Sequence, residues 1–283
     1  MTSSKALKIA LAANGAFFFV EVFGGVAFHS LALLADASHM LSDVAGLGIA
    51  LVAQSLMSRP ATPRHTYGLQ RAEVLGAQAN GVILVAAAGW LFFEAFDRLA
   101  DAPRVDGGGL VLVAALGLAV NLGSALLLAR SRRSSLNIRA AFLHMILDAL
   151  GSLGAVGAGI AILGWGAYWV DPAVSILIGF LVLWSAARLL RDTTAVLMEA
   201  TPRGIDPNEV DDALEGDGAV EAVHHLHLWN LASDVPALSA HVVLGDETTL
   251  HEAQLEGERL RLMLRERFGI EHATLALECH PCE

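Results

Sequence analysis

The chain has 283 residues, is 55% hydrophobic with a mean hydropathy of +0.55, and carries a formal net charge of −11. The apolar content excludes intrinsic disorder, two cysteines exclude a disulfide scaffold, and the acidic excess argues against a nucleic-acid partner because it repels phosphate. So apolar a chain with so much charge must be two unlike parts. Residues 1–202 hold 13 Lys/Arg and 12 Asp/Glu, whereas residues 203–283 hold 5 and 17. The acidity belongs to the last 81 residues, and the division predicts a membrane domain over 1–202 and a soluble domain over 203–283.

Six apolar stretches follow in order, roughly 7–28, 33–57, 72–97, 108–129, 138–164 and 169–190. Each is near the ~20 residues that a helix needs to cross a bilayer. The first carries Glu21 near its end and outruns a signal-peptide core, so it reads as a retained span. Lys5, Lys8, Arg59, Arg64, Arg71, Arg130, Arg132, Arg133, Arg139, Arg188 and Arg191 fall on one side of these spans. Only Arg98 and Arg104 fall in the loop between spans 3 and 4 on the other side, so both termini are expected in the cytoplasm. Trp165 and Trp169 suit a membrane interface, and Asp171-Pro172 reads as an N-cap and first residue of span 6.

Ionisable residues at membrane depth are costly and therefore informative. Span 2 contains His39-x-x-x-Asp43 and span 5 contains His144-x-x-x-Asp148. A separation of i,i+4 puts both side chains of a pair on one helix face. Two such pairs facing each other supply two imidazoles and two carboxylates, a donor set that suits tetrahedral Zn²⁺ and cancels its charge. Asp36 shares their face and reads as a group behind the ligands or in a wet cavity. Glu21, Asn80 and Asn121 read as hydrogen-bonding residues between helices. Gly151, Ala155 and Gly159 recur at four-residue steps, which lets span 5 approach a neighbour closely.

Beyond 203 the pattern becomes a helix over 206–215, strands over 219–231 and 237–245, an amphipathic helix over 248–268 and a last strand over 272–279. The order αββαβ predicts a small open-faced α+β sandwich with a thin core. On the long helix Leu250, Ala253, Leu260, Met263 and Leu264 are expected inward. Seven of the eleven histidines lie here: His224, His225, His227, His241, His251, His272 and His280. The chain ends Glu278-Cys279-His280-Pro281-Cys282, and a CxxC after a strand at a chain end favours metal over redox chemistry.

These residues resemble the cation diffusion facilitator family. The resemblance rests on Glu21-Val22-Phe23-Gly24-Gly25, on the run from Ser30 to Asp43, on Thr66-Tyr67-Gly68 with Arg71 and Glu73, and on His144, Asp148 and Asp171-Pro172. In the tail it rests on the run from Val223 to Trp229 and on Ala240-His241. The blocks fall in order along nearly the whole chain and look closest to the bacterial zinc–cobalt–cadmium branch. The resemblance implies a homodimer in the cell (inner) membrane that exports a divalent metal from the cytoplasm in exchange for protons. Its transport ligands would be His39, Asp43, His144 and Asp148, and histidine at the first position goes with zinc, with Cd²⁺ and Co²⁺ as further cargo. The tail would adopt a metallochaperone-like fold and bind metal through His224, His241, His251 and Glu278, with Cys279, His280 or Cys282 serving a neighbouring protomer. Arg71 and Glu199 would form an ion pair that locks the dimer. Some relatives hold another metal in the loop between spans 2 and 3. Here only His65 suits it, and Leu69 stands where a second ligand would be. The loop over 130–137 lacks histidine, so it forms no metal funnel.

The expected activity is proton-coupled antiport by alternating access, with lipid as the surrounding phase. An intramembrane metal-dependent hydrolase is the rival from another class. It would need an open metal position beside a general base, and neither H-E-x-x-H nor G-x-S-x-G occurs. A membrane-bound metal sensor is the other rival, and it has no need of four ligands at membrane depth.

Overall fold

A computed structural model describes residues 3–129, 136–245 and 247–280; it describes their side chains except at 3–11, 42–47, 50–51, 54, 128, 136–141 and 143–144. Six long helices occupy the six expected spans: α1 (Ser3–Ala27), α2 (Leu31–Met57), α3 (Ala72–Ala100), α4 (Gly107–Ala129), α5 (Leu136–Trp165) and α6 (Val170–Leu197). Four segments are long and apolar enough to cross a bilayer: Ala72–Ala100, Gly107–Leu127, Met145–Trp165 and Val170–Leu197. Among the described residues, α1 and α2 contain the shorter apolar runs Ala12–Ala27 and Leu31–Leu41. The chain forms two compact units, Met1–Gly48 with Ala79–Leu189, and Ile49–Gln78 with Leu190–Glu283.

The first unit is all helical. One apolar core joins Phe17 of α1, Leu33 and Met40 of α2, Leu110 and Val113 of α4, and Ala155 and Ile162 of α5. A second joins Leu31 and Ala35 of α2 to Leu84 and Leu91 of α3 and to Ile178 and Val182 of α6. Helix α2, which carries Asp36 and His39, is thus shared by both cores. Phe93, Trp184 and Leu177 point outward and are well exposed, which suits a surface solvated by lipid. Gly159 permits a close helix approach: a Cβ there would lie 2.5 Å from Val111 and 3.2 Å from the carbonyl of Gly107 on α4. The small-residue stripe of α5 therefore packs largely on α4, while Gly151 faces Asp36 on α2.

Asp171 departs from the sequence reading. It lies inside the first turn of α6 and caps a different helix. Its carboxylate accepts hydrogen bonds from the Ser30 hydroxyl (2.6 Å) and from the backbone N–H groups of Leu31 (2.7 Å) and Ala32 (3.2 Å). These are unpaired donors at the start of α2, where the helix dipole also favours negative charge. A wholly buried carboxylate thereby fixes the level of α2 against α6. The α1–α2 turn is closed by His29 in the left-handed region (φ 57°), whose carbonyl accepts from Arg98 at 2.7 Å.

In the second unit the tail follows the expected order: α7 (Pro207–Glu215), β1 (Val220–Ala232), β2 (Val235–Leu244), α8 (Leu250–Phe268) and β3 (His272–Glu278). The sheet order is β1-β2-β3, antiparallel between the first two and parallel between the last two. Leu214, Leu238, Leu260, Leu264 and Ile270 are fully buried in one core. Each such side chain contributes roughly 1.5–3 kcal/mol by leaving water. Leu250 breaks the expected face: it is 87% exposed, because it is the first residue of α8 and lies beyond the sheet-covering stripe. Thr249 and Glu252 close a capping box at that end.

Candidate metal centres

Two groups of histidines and carboxylates emerge, one in each unit. In the helical unit, His39 Nε2 of α2 lies 3.4 Å from Asp148 Oδ1 of α5. Both are inward: Asp148 is 5% exposed, and His39 is partly buried. The sequence pairs His39 with Asp43 and His144 with Asp148 along each helix, whereas the structure joins one member of each pair across helices. The side chains of Asp43 and His144 lie outside the described ones. Asp36 sits one turn from His39, is 4% exposed and accepts a hydrogen bond from the Ser152 hydroxyl at 3.1 Å. Asn121 reaches Ser152 at 3.4 Å, the interhelical bond expected of it. Glu21 of α1 is wholly buried, and no N–H or O–H donor reaches either of its oxygens among the described residues.

In the tail, sheet register assembles the second group. His224 of β1 pairs directly with His241 of β2, and Glu278 of β3 stands opposite Val243, two residues beyond His241 on the same strand face. Glu278 holds both rings, with Oε2 at 3.0 Å from His224 Nε2 and Oε1 at 2.5 Å from His241 Nδ1. His225 completes the group. A plain strand would send it to the opposite face from His224, but the ladder is irregular between His224 and His227, and His225 adopts φ 51°. Its Nδ1 thereby comes within 2.8 Å of His224 Nδ1. Donor atoms of His224, His225 and His241 all lie within 4.8 Å of one another. Donors around a tetrahedral Zn²⁺ at ~2.0–2.1 Å stand roughly 3.3 Å apart, so small ring rotations suffice. Three imidazoles with a carboxylate behind them are a fitting donor set for a borderline divalent metal.

His225 is the ligand candidate that sequence spacing missed, because only the bulge turns it inward. The doubled histidine at 224–225 was the one available signal. His251 is exposed at the start of α8 and does not join the group among the described residues. Cys279 is exposed with a free thiol, His280 lies just beyond β3, and Cys282 lies outside the described residues. His65 is exposed in the turn before α3, and among the described residues no metal-holding group includes it. Arg71 and Glu199 do pair, at 3.0 Å, within one chain. Glu199 occupies a left-handed position (φ 58°) that ends α6, with the Ala200 N–H bonded to the Ala195 carbonyl.

Comparison with known proteins accounts for both regions. Residues 7–198 match the cation efflux transmembrane domain and residues 202–279 the cytoplasmic domain of cation efflux proteins. The metal cation efflux system protein CzcD of Cupriavidus metallidurans is 39% identical over 99% of this chain and 88% of that protein. The zinc transporter ZitB of Escherichia coli is 38% identical over 99% and 89%. A cadmium, cobalt and zinc/H(+)-K(+) antiporter of Bacillus subtilis is 37% identical over 98% and 89%. The solved metal-bound C-terminal domain of the CzcD transporter is 32% identical, covering 26% of this chain and 99% of that domain at a TM-score of 0.24.

Proposed function

We propose that this chain, which belongs to the cation efflux family, is a multi-pass membrane transporter that expels divalent metal ions from the cytoplasm in exchange for protons, with zinc as the principal cargo and cadmium and cobalt as others. It is a transporter and not an enzyme. The single observation that carries the transport site is the approach of His39 to Asp148. Spans 2 and 5 run in opposite directions if each span crosses the membrane once. Contact between positions 39 and 148 then brings 43 and 144, each one turn away, level with one another. His39, Asp43, His144 and Asp148 together would surround one ion, and two carboxylates would neutralise it in an apolar setting.

Exchange follows from competition. Imidazole and carboxylate bind metal only when deprotonated, so metal arrival expels protons and proton arrival expels metal. Facing the cytoplasm, the site loads zinc; facing outward, it meets protons and releases zinc; the proton gradient sets the direction. Both termini and the acidic tail lie in the cytoplasm of the cell (inner) membrane, in this reading. The tail attracts cations. Its cluster of His224, His225 and His241, held by Glu278, senses them, and Cys279, His280 or Cys282 serves a neighbouring protomer of a homodimer. Metal there favours one arrangement of the two tails, and the Arg71–Glu199 pair restrains the segment where α6 ends.

Purified full-length protein in proteoliposomes tests this. An imposed pH gradient is expected to drive zinc across the membrane against its own gradient, with proton movement in the opposite sense. Zinc that stays put, or moves without protons, contradicts the reading. A hydrolase or a sensor moves no zinc in this assay.

A further inference from the structure

Apart from the two metal centres, the second unit holds an open cavity of about 1020 Å³, large enough for a ligand of lipid-headgroup size. Every residue that lines it belongs to that unit. The loop over 64–71 and the first turn of α3 form one wall, and β1 from Leu226 to Leu231 forms another. The loop wall is held in shape. Thr62 and His65 exchange backbone hydrogen bonds at 3.0 and 3.1 Å around a turn with Pro63 at its second position, which sets Arg64 at the tip. A second turn follows, closed by the Gly68 N–H on the His65 carbonyl at 2.9 Å, and Gly68 takes a left-handed conformation (φ 75°). The Tyr67 ring stands edge-on to His272 at the start of β3, with centroids 6.0 Å apart, and Arg71 bonds Glu199. The loop is thereby tied at two points to the segment that follows α6.

Charge sets the class of ligand. The last 81 residues hold 17 acids, yet among the described residues a single acid lines the cavity, Glu199, and Arg71 already pairs with it. Arg64 is exposed and has no carboxylate partner among the described residues. The surplus is one guanidinium, whose planar fork matches the oxygens of a phosphate. Position sets the rest. Leu75 is 56% exposed and lines the cavity from the first turn of α3, a helix long and apolar enough to span a bilayer. Tyr67 and Trp229 add aromatic rings of the kind that favour the headgroup level of a membrane. A basic pocket at the end of a span, with an apolar strip leading onto that span, is complementary to an anionic amphiphile. A soluble phosphate would use Arg64 and leave the apolar strip bare. We propose that this cavity binds the headgroup of an anionic phospholipid, with Arg64 on its phosphate and an acyl chain passing Leu75 along α3. A lipid seated there touches the α2–α3 loop and β1 at once, so the surrounding membrane strengthens the hold of that loop on the tail.

Full-length protein in neutral detergent is titrated with short-chain phosphatidylglycerol, with phosphatidylcholine or with glycerol phosphate, and bound molecules are counted by native mass spectrometry. About one phosphatidylglycerol per chain is expected to bind roughly tenfold more tightly than phosphatidylcholine, and glycerol phosphate more weakly than the lipid that carries it. Arg64→Gln, a change at an exposed turn, is expected to weaken phosphatidylglycerol about tenfold. Arg59→Gln, in the same loop but outside the cavity, is expected to change it less than about twofold. Equal affinity for the two lipids overturns the proposal. So does an equal loss in Arg59→Gln and Arg64→Gln, which marks diffuse attraction to charge in place of a site. Glycerol phosphate that binds as tightly as phosphatidylglycerol overturns the lipid assignment in favour of a soluble phosphate.

Discussion

The two proposed metal-binding regions use the same side chains and are built by opposite rules. In the membrane unit, the proposed ligands are placed on helices, and the helical period in the sequence relates His39 to Asp43 and His144 to Asp148. In the tail, strand register brings together residues up to 54 positions apart, as in the His224–Glu278 contact. The surroundings differ as well. Lipid gives helices no hydrophobic reason to associate, so α2 and α5 depend on small residues and on buried polar bonds such as those of Asp171. The tail buries Leu238, Leu260 and Leu264 from water in the ordinary way. One region is thus positioned by polar anchors in an apolar setting, the other by an apolar core beneath a polar surface site.

That contrast can be broken at its strongest point. If position along the helix defines the transport site, Asp43→Asn and His144→Ala are each expected to lower zinc flux by about a hundredfold or more, since each removes a direct ligand. Flux near wild type in either variant would detach that residue from the site. Next in size is the anchor. Asp171→Ala strands the Ser30 hydroxyl and the N–H groups of Leu31 and Ala32, and is expected to cost about 3–5 kcal/mol. Thermal unfolding in detergent measures it, and an unchanged midpoint would mean that α2 needs no cap from α6.

The tail offers a sharper comparison between two histidines. His225→Ala is expected to weaken tail zinc binding by about tenfold or more, whereas His251→Ala leaves it nearly unchanged. Zinc titration of the full-length protein checks both, and the reverse order would return His251 to the site. The smallest effect concerns α8. Thr249→Ala removes a helix cap worth about 1 kcal/mol. The hydrogen bonds from the Thr249 hydroxyl and backbone N–H hold the Glu252 carboxyl below its usual range. A depressed carboxyl stabilises the folded state above its unfolded pKa and loses that contribution as pH falls through the folded value. Acidification is therefore expected to narrow the gap between Thr249→Ala and wild type, and a gap that widens would contradict the cap.

The legible parts of the chain share a physical cause. The six spans and the αββαβ order follow from periodicity, which a sequence displays directly. Asp36 and His39 were visible because a charge at membrane depth is conspicuous. Other features depended on contacts between distant segments. Asp171 sits at the start of α6 and reads as its cap; only packing reveals that α2 receives its bonds. His225 alternates outward in an unbroken strand, and only the bulge turns it toward His224. Leu250 fits the apolar stripe by count, yet it precedes the covered part of the helix.

The central claim is that the membrane pair carries metal while the tail cluster responds to it. The most direct measurement compares zinc flux in proteoliposomes for Asp148→Asn and His241→Ala at matched protein density. We expect Asp148→Asn to fall to background while its tail still binds zinc, and His241→Ala to keep transporting with a weaker dependence on zinc concentration. Wild-type flux in Asp148→Asn, or complete loss in His241→Ala, would contradict that division.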